Sequence, residues 1–417
     1  MRIGQFTSQY PYPDQYVPGE HSQYFCSGAE RVVRNLSEGL SDRGHDVHVF
    51  TSGRPGETTV QNGVTIHRAR SLGSVGTTEV APGLLTAALD TELDIAHAHN
   101  STPPGVVAGA AYARLRDTPF VITHHGGEAY VSHGGPLRRA GLWIYTRGVM
   151  ELLFRSATAV AVPSDGYIET SRVLPAVRDR IEVIPNGVDP SAFEPSEGIE
   201  PSERIERTGE SDPSTVADGG DGTCFCYVGA LQQRKGVDVL LRAFARVAGD
   251  AGTADGTGAD SVSLVVAGSG PDRDRLQRLA GELDVTDSVS FPGYVPEADK
   301  RTLLVAADCF VLPTARDGVE MYPLVLGEAA AAGTPLVCSD FPALRSVLAG
   351  RDCATLVPPR DEAALAEAMA RLHENEDERA RHAANARDFA AETSWSAVCE
   401  AYLELYRRAA PDGGTGP

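Results

Sequence analysis

Two carboxylates, Glu320 and Glu328, flank the run Met321-Tyr322-Pro323-Leu324-Val325-Leu326-Gly327, which continues into Ala329-Ala330-Ala331-Ala332-Gly333-Thr334-Pro335. Proline at the start and glycine at the end predict a helix from about Pro323 to Ala332. Entered from the end of a parallel strand, that helix aims its positive dipole end and free N–H groups, including those of Leu324 and Val325, at a crevice that favours an anionic ligand group. Glu320 precedes the helix and Glu328 lies on its second turn, so each could grip a ligand hydroxyl. The same spacing also fits a helix with an acidic N-terminus and a solvated glutamate.

Upstream, Tyr227-Val228-Gly229-Ala230-Leu231-Gln232-Gln233-Arg234-Lys235-Gly236-Val237-Asp238 reads as a strand, a loop with two adjacent cations, and a helix. A guanidinium fork beside an ammonium point charge can neutralise a diphosphate, although a solvated surface pair has the same sequence. Cys26-Ser27-Gly28-Ala29-Glu30 opens the first helix. Gly28 would let the backbone approach a ligand phosphate closely, and Ser27 would serve equally as a plain N-cap. Histidines end two neighbouring strands, His97-Ala98-His99 and Thr123-His124-His125-Gly126. No acidic third ligand stands at a clear spacing from them, so hydrogen bonding to a substrate or to the core is favoured over a metal. Gly268-Ser269-Gly270-Pro271 follows a strand, but Arg273 occupies the place of the third dinucleotide glycine. Asp272-Arg273-Asp274 has a metal-binding form and also suits the first turn of an amphipathic helix.

The elements that must position these residues alternate between short apolar runs and longer amphipathic ones, the pattern of parallel sheets with crossover helices. Strands are expected near 2–7, 46–51, 93–96, 120–123, 158–162 and 181–184, and again near 225–228, 263–267, 309–312 and 336–338, with a first helix over 29–42. This predicts an α/β chain of two tandem doubly wound domains. An N-terminal domain spans 1–190, an acidic flexible insert 191–223, a C-terminal domain 224–394, and a last helix 395–410 carries Val398, Tyr402, Leu405 and Tyr406 at helical spacing. The stretch 194–222 holds nine carboxylates against two arginines and no aromatic residue, too little apolar surface to offset the entropy of ordering it.

With 417 residues and 42% hydrophobic content the chain can build two cores. A net charge of −20 disfavours nucleic acid as a partner. Only Lys235 and Lys300 are lysines among 37 basic residues. An acidic, lysine-poor surface is expected of a salt-adapted protein, and equally of a GC-rich genome. Seven cysteines without a Cys-x-x-Cys spacing read as buried hydrophobes in a reducing compartment. Without a leader-like apolar segment or an 18-residue apolar run, the expectation is a cytoplasmic protein or one peripheral to the inner membrane face. The segment 137–154 is basic and apolar, through Arg138, Arg139, Arg147, Trp143, Ile144 and Leu152. It fits either an anionic membrane or lipid-linked acceptor, or an ordinary crossover helix.

Together these residues resemble the retaining, nucleotide-sugar-dependent glycosyltransferases of family four, whose fold is GT-B: two Rossmann-like domains facing an interdomain cleft, with a C-terminal helix returning to the first. Ser27-Gly28-Ala29-Glu30, His97/His99, Thr123-His124-His125-Gly126, Pro185-Asn186-Gly187-Val188-Asp189, Arg234-Lys235-Gly236, Gly268-Ser269-Gly270-Pro271 and Glu320-x7-Glu328 occur in the family's order. The resemblance implies a hexosyltransferase acting on a glycan, lipid-linked or small-molecule acceptor. It makes Arg234 and Lys235 the diphosphate clamp, with Leu324 and Val325 beside them, Glu328 the ribose ligand, Glu320 a donor-sugar ligand, His125 a neighbour of the scissile bond and Gly28 part of the loop over the diphosphate. It implies no metal and no cofactor, the nucleotide-diphosphate sugar being a co-substrate. A GT-B epimerase would want further carboxylates, a phosphorylase a cofactor lysine, and a non-catalytic binding subunit would tolerate loss of Glu320 or Lys235. Two departures stand out: Ala230 replaces a common arginine, and Met321-Tyr322-Pro323 replaces Gly-Phe-Gly and alters the sugar pocket.

Overall fold

The structure is a computed structural model that describes residues 1–12, 28–75, 78–100, 103–126, 140–141, 143–194, 222–250, 261–318 and 320–410. It divides into two compact units, Met1–Gly187 with the chain from Trp395 on, and Val188–Ser394. The bulk of the expected insert, 195–221, and the loop 251–260 lie outside the described residues, as does Ser27 beside Gly28.

In the first unit the strands are β1 (Arg2–Phe6), β2 (Asp46–Gly53), β3 (Glu57–Gln61), β4 (Val64–Arg70), a short hairpin β5 (Ser74–Val75) and β6 (Thr78–Glu79), β7 (Ile95–Asn100), β8 (Phe120–His124), β9 (Ala159–Val162) and β10 (Ile181–Val183). Eight form one sheet in the order β10-β9-β8-β7-β1-β2-β4-β3, parallel except for β3 against β4. Strands β7, β8 and β9 are buried along their whole length, as expected where helices cover both faces. Helix α1 (Gly28–Asp42) buries Val32, Val33, Leu36 and Leu40, one face at helical spacing. Helix α2 (Pro103–Arg116) begins on two prolines that fit the first turn. Helix α3 (Met150–Ser156) follows a wider π turn, Tyr145–Val149. The β3–β4 hairpin adds an edge not anticipated from apolar runs. Its turn is Asn62-Gly63, both with positive φ (47° and 76°), the two-residue geometry that Asn-Gly favours.

The second unit is a six-stranded parallel sheet of β11 (Thr223–Val228), β12 (Val262–Ala267), β13 (Val289–Gly293), β14 (Cys309–Leu312), β15 (Leu336–Ser339) and β16 (Ala354–Val357), ordered β13-β12-β11-β14-β15-β16. Its helices are α4 (Val237–Asp250), α5 (Arg273–Glu282), α6 (Glu297–Ala306), α7 (Leu324–Ala332), α8 (Pro342–Leu348), α9 (Glu362–Glu374) and α10 (Glu376–Glu392). The edge strands β13 and β16 extend the expected sheet, and Pro292 is tolerated in β13 because that strand has only one neighbour. Helix α7 matches its expected span and ends on Gly333, whose φ of 74° is the left-handed cap.

The last helix, α11 (Trp395–Ala409), belongs to the first unit. It buries Val398, Cys399, Tyr402, Leu403, Leu405 and Tyr406 against a core that includes Ile3, Leu36, Leu40 and Val121. Arg43 of the α1–β2 turn holds it through Glu400 at 2.9 Å and Ser396 Oγ at 2.8 Å, and Arg408 reaches Glu182 at 3.0 Å. Gly187 is required beneath it, since a Cβ there would lie 2.4 Å from the Trp395 ring.

Winding of the second sheet reverses at β11, so the loops after β11 and β14 meet at its carboxyl edge. Gly236 closes the first of these with a φ of 73°, and a Cβ there would sit 1.9 Å from the Pro313 carbonyl oxygen. Gly236→Ala should therefore cost ~2 kcal/mol or more through strain and overlap. Urea unfolding should show a lowered midpoint with an unchanged slope.

Candidate active site

Arg234 and Lys235 fall in a single 3₁₀ turn, Gln233–Lys235, immediately after β11. Arg234 is oriented by its own loop, its Nε donating to Gln232 Oε1 at 2.8 Å. The Arg234 carbonyl accepts from Ala315 N at 3.0 Å, tying the loop after β11 to the loop after β14. Across that junction Lys235 Nζ donates to Glu320 Oε1, and both side chains are largely buried. The lysine and the carboxylate that the resemblance assigns to the diphosphate and to the sugar are thus in direct contact, with Arg234 in the same turn.

Glu320 stands at the entrance of α7, whose N-cap is Pro323. The first-turn N–H groups of Leu324 and Val325 have no acceptor within the helix, and both residues are only partly buried. Glu328 sits one turn further in, and its carboxylate oxygens each lie 2.8 Å from Lys300 Nζ. Lys300, on α6, is itself buried and is shared with Glu297 at 2.9 Å. Along the sequence Lys300 stands out only as one of two lysines. Its role follows from α6 packing beside α7, a relation that spacing along the chain does not encode. The structure therefore groups Arg234, Lys235, Glu320, Leu324, Val325 and Glu328 at the switch point of the second sheet.

Position 230, an alanine in this chain, lies in the same loop, and its carbonyl accepts from the Tyr227 hydroxyl at 3.0 Å. Tyr322 turns inward, its hydroxyl 3.3 Å from Thr393 Oγ1. The Asp272-Arg273-Asp274 run begins α5, with Asp272 paired to Arg275.

His125 and Gly28 lie in the first unit. Gly28 is the first residue of α1 and is exposed. His125 follows β8, its Nε2 2.9 Å from His99 Nδ1. Burial, with a contribution from His124, presses the His125 pKa down to about 3, and burial brings His97 to about 3 as well. These imidazoles are neutral across the physiological range. Among the described residues no group of three or more His, Cys, Asp or Glu is arranged to hold a metal ion.

The family profile described as glycosyl transferases group 1 matches residues 212–389, and that described as Glycosyltransferase Family 4 matches residues 26–192. The chain belongs to the group 1 glycosyltransferases. Among its relatives are a phosphatidyl-myo-inositol mannosyltransferase of Mycobacterium leprae, 28% identical over 99% of this chain and 98% of the relative, and a D-inositol 3-phosphate glycosyltransferase of Frankia alni, 29% identical over 92% and 95%. Similar solved structures include sucrose-phosphate synthase from Thermosynechococcus elongatus, with TM-score 0.72 and 21% identity over 98% of each chain. The Anabaena protein HepE in complex with UDP and glucose has TM-score 0.69 and 19% identity over 98% of this chain and 100% of its own. The glycosyltransferase thus has two Rossmann-like domains of the GT-B type.

Because Lys300 and Glu328 are both buried, removing the ammonium takes a close counter-charge from a carboxylate that water reaches poorly. Lys300→Met in this glycosyltransferase should destabilise it by about 3 kcal/mol or more, while Lys300→Met with Glu328→Leu should recover most of the loss. A double-mutant cycle of denaturant unfolding free energies measures this directly.

Proposed function

We propose that this glycosyltransferase moves a hexosyl group from a nucleotide-diphosphate sugar to a glycan, lipid-linked or small-molecule acceptor, with retention at the anomeric carbon and without a divalent metal. The observation that carries the reading is the convergence of Arg234, Lys235 and Glu320 on the N-terminus of α7 at the switch point. In the transfer, the bond from the anomeric carbon to the diphosphate oxygen breaks and a bond from the acceptor oxygen to that carbon forms on the same face. The acceptor proton passes to the leaving diphosphate. Arg234, Lys235 and the first-turn N–H groups of Leu324 and Val325 stabilise the charge that builds on that diphosphate, the work a metal would otherwise do. The family resemblance assigns Glu320 to the donor sugar and Glu328 to the ribose and, in the first unit, Gly28 to the diphosphate and His125 to the scissile bond. HepE, crystallised with UDP and glucose, supports a nucleotide-sugar donor, and the inositol phosphate and phosphatidylinositol named for the relatives support a phosphorylated polyol or its lipid as acceptor.

Membrane association is part of the proposal. Trp143, Ile144 and Leu152 are 52%, 59% and 69% exposed, while Met150, Leu153 and Phe154 on the same segment are buried. Arg147 lies 5.1 Å over the Trp143 ring, whereas Arg155 is paired with Glu151 at 2.9 Å, and Arg138 and Arg139 lie outside the described residues. An apolar ridge beside a cation suits the interface of an anionic leaflet. No helix among the described residues is long and apolar enough to cross a membrane. The protein would then work at the cytoplasmic face, and its net charge of −20 suits a salt-rich interior.

Incubation with UDP-, GDP- and ADP-sugars, in low and molar salt and with or without a chelator, tests the reaction. Turnover should survive chelation and molar salt, with the product's anomeric configuration by NMR matching the donor's. Lys235→Ala and Glu320→Ala should each abolish turnover while circular dichroism stays unchanged, and full activity in either variant would refute the site assignment. In flotation assays the protein should rise with anionic vesicles, and Trp143→Ala with Leu152→Ala should reduce that binding at least tenfold.

A further inference from the structure

A chain of polar groups, buried from His99 inward, runs from the half-buried His125 across the first unit's sheet to the last helix. Gln5 on β1, His97 and His99 on β7, and Thr123 on β8 share a face by the two-residue period of strands, with His125 two residues beyond Thr123. The register places Gln5 beside His97, and His99 beside Thr123. Tyr402 and Tyr406, four residues apart on α11, meet that face. The links are His125 Nε2 to His99 Nδ1 at 2.9 Å, His99 Nε2 to Gln5 Oε1 at 2.7 Å, Gln5 Nε2 to the Tyr406 hydroxyl at 3.4 Å and that hydroxyl to His97 Nδ1 at 2.6 Å. They continue from His97 Nε2 to Thr123 Oγ1 at 2.7 Å and from there to the Tyr402 hydroxyl at 2.9 Å.

Gln5 sets the direction of this chain. Its carbonyl oxygen can only accept, so His99 carries its proton on Nε2 and leaves Nδ1 bare. That bare nitrogen must receive a proton from His125 Nε2, which leaves Nδ1 of His125 unprotonated. The Gln5 amide donates to Tyr406, whose single hydroxyl proton goes to His97 Nδ1, and His97 Nε2–H then serves Thr123. Rotating the carboxamide by half a turn would invert every link and place a proton on His125 Nδ1. Burial keeps His97, His99 and His125 neutral, so no additional proton disturbs the alternation. Nδ1 of His125 takes no hydrogen bond among the described residues.

We propose that Gln5 and Tyr406 are positioning residues that hold His125 in its Nε2–H form, so that it meets the donor sugar through a bare Nδ1 and accepts a hydrogen bond from a sugar hydroxyl. The sugar contact rests on the transfer reading above, whereas the protonation pattern does not. Long-range proton–nitrogen correlation spectra of the full chain with ¹⁵N-labelled histidine, free of substrate, read the pattern, with His125 assigned by the His125→Gln variant. The wild type should be protonated at Nε2 alone. Gln5→Met should give mixed tautomers at His125 and lower kcat roughly tenfold, while KM for the donor stays within about twofold. Should Gln5→Met not fold, Tyr406→Phe, which removes one oxygen, is read the same way. A proton on Nδ1 in the wild type, an unchanged His125 pattern in the folded variant, or mixed tautomers with an unchanged kcat would each overturn the proposal. The expected pattern in a wild-type protein inactive on every donor would support the Gln5 assignment and sink the transfer reading alone.

Discussion

A buried charge must be met by its opposite, and the second unit obeys this twice around one helix. The chain has two lysines, and each is set against a carboxylate of the α7 region: Lys235 against Glu320 ahead of the helix and Lys300 against Glu328 within it. In so acidic a protein a lone buried carboxylate would be doubly disfavoured, by desolvation and by the surrounding field. Each carboxylate thus has an ammonium group within ion-pair distance. The reversal of strand order at β11 makes this possible, because only there do loops from two non-consecutive strands lie side by side.

The two units use buried polarity differently. Around α7 the polar groups are ions, held by pairwise neutralisation. Beneath α11 they are neutral hydrogen-bonding groups, in which each partner's role is dictated by the next. Ionic pairs tolerate small shifts in angle, whereas a chain of neutral imidazoles, an amide and phenols has a sense of direction that one rotated group would reverse. A carboxamide at the centre suits this, since it has distinct donor and acceptor ends and, unlike a histidine, does not exchange them by moving a proton.

What could be read along the chain was whatever local spacing determines. Arg234 and Lys235 next to each other, Glu320 and Glu328 around a Pro-to-Gly helix, and histidines at the ends of adjacent strands all carry their message within a few residues. Strand pairs such as β3–β4 were obscured because Thr58, Thr59 and Gln61 make a weak apolar pattern, although Asn62-Gly63 marks the turn. Lys300 and Gln5 were illegible for a deeper reason. Gln5 sits in the strand run Ile3-Gly4-Gln5-Phe6, and its partners His99 and Tyr406 come from β7 and α11. Lys300 lies on an amphipathic helix that packs beside α7. Only the packing of distant segments turns either residue from background into part of a site.

The first unit is discontinuous along the chain, since Tyr402 and Tyr406 complete a core begun at Ile3. On the ribosome the N-terminal residues emerge first, yet their sheet lacks its last covering helix until residues 395–409 have cleared the exit tunnel. The second unit is continuous from Val188 to Ser394 and has all of its sheet beforehand. The half made first is therefore finished last, and until residues 395–409 dock, the row of histidines lacks the hydroxyls of Tyr402 and Tyr406.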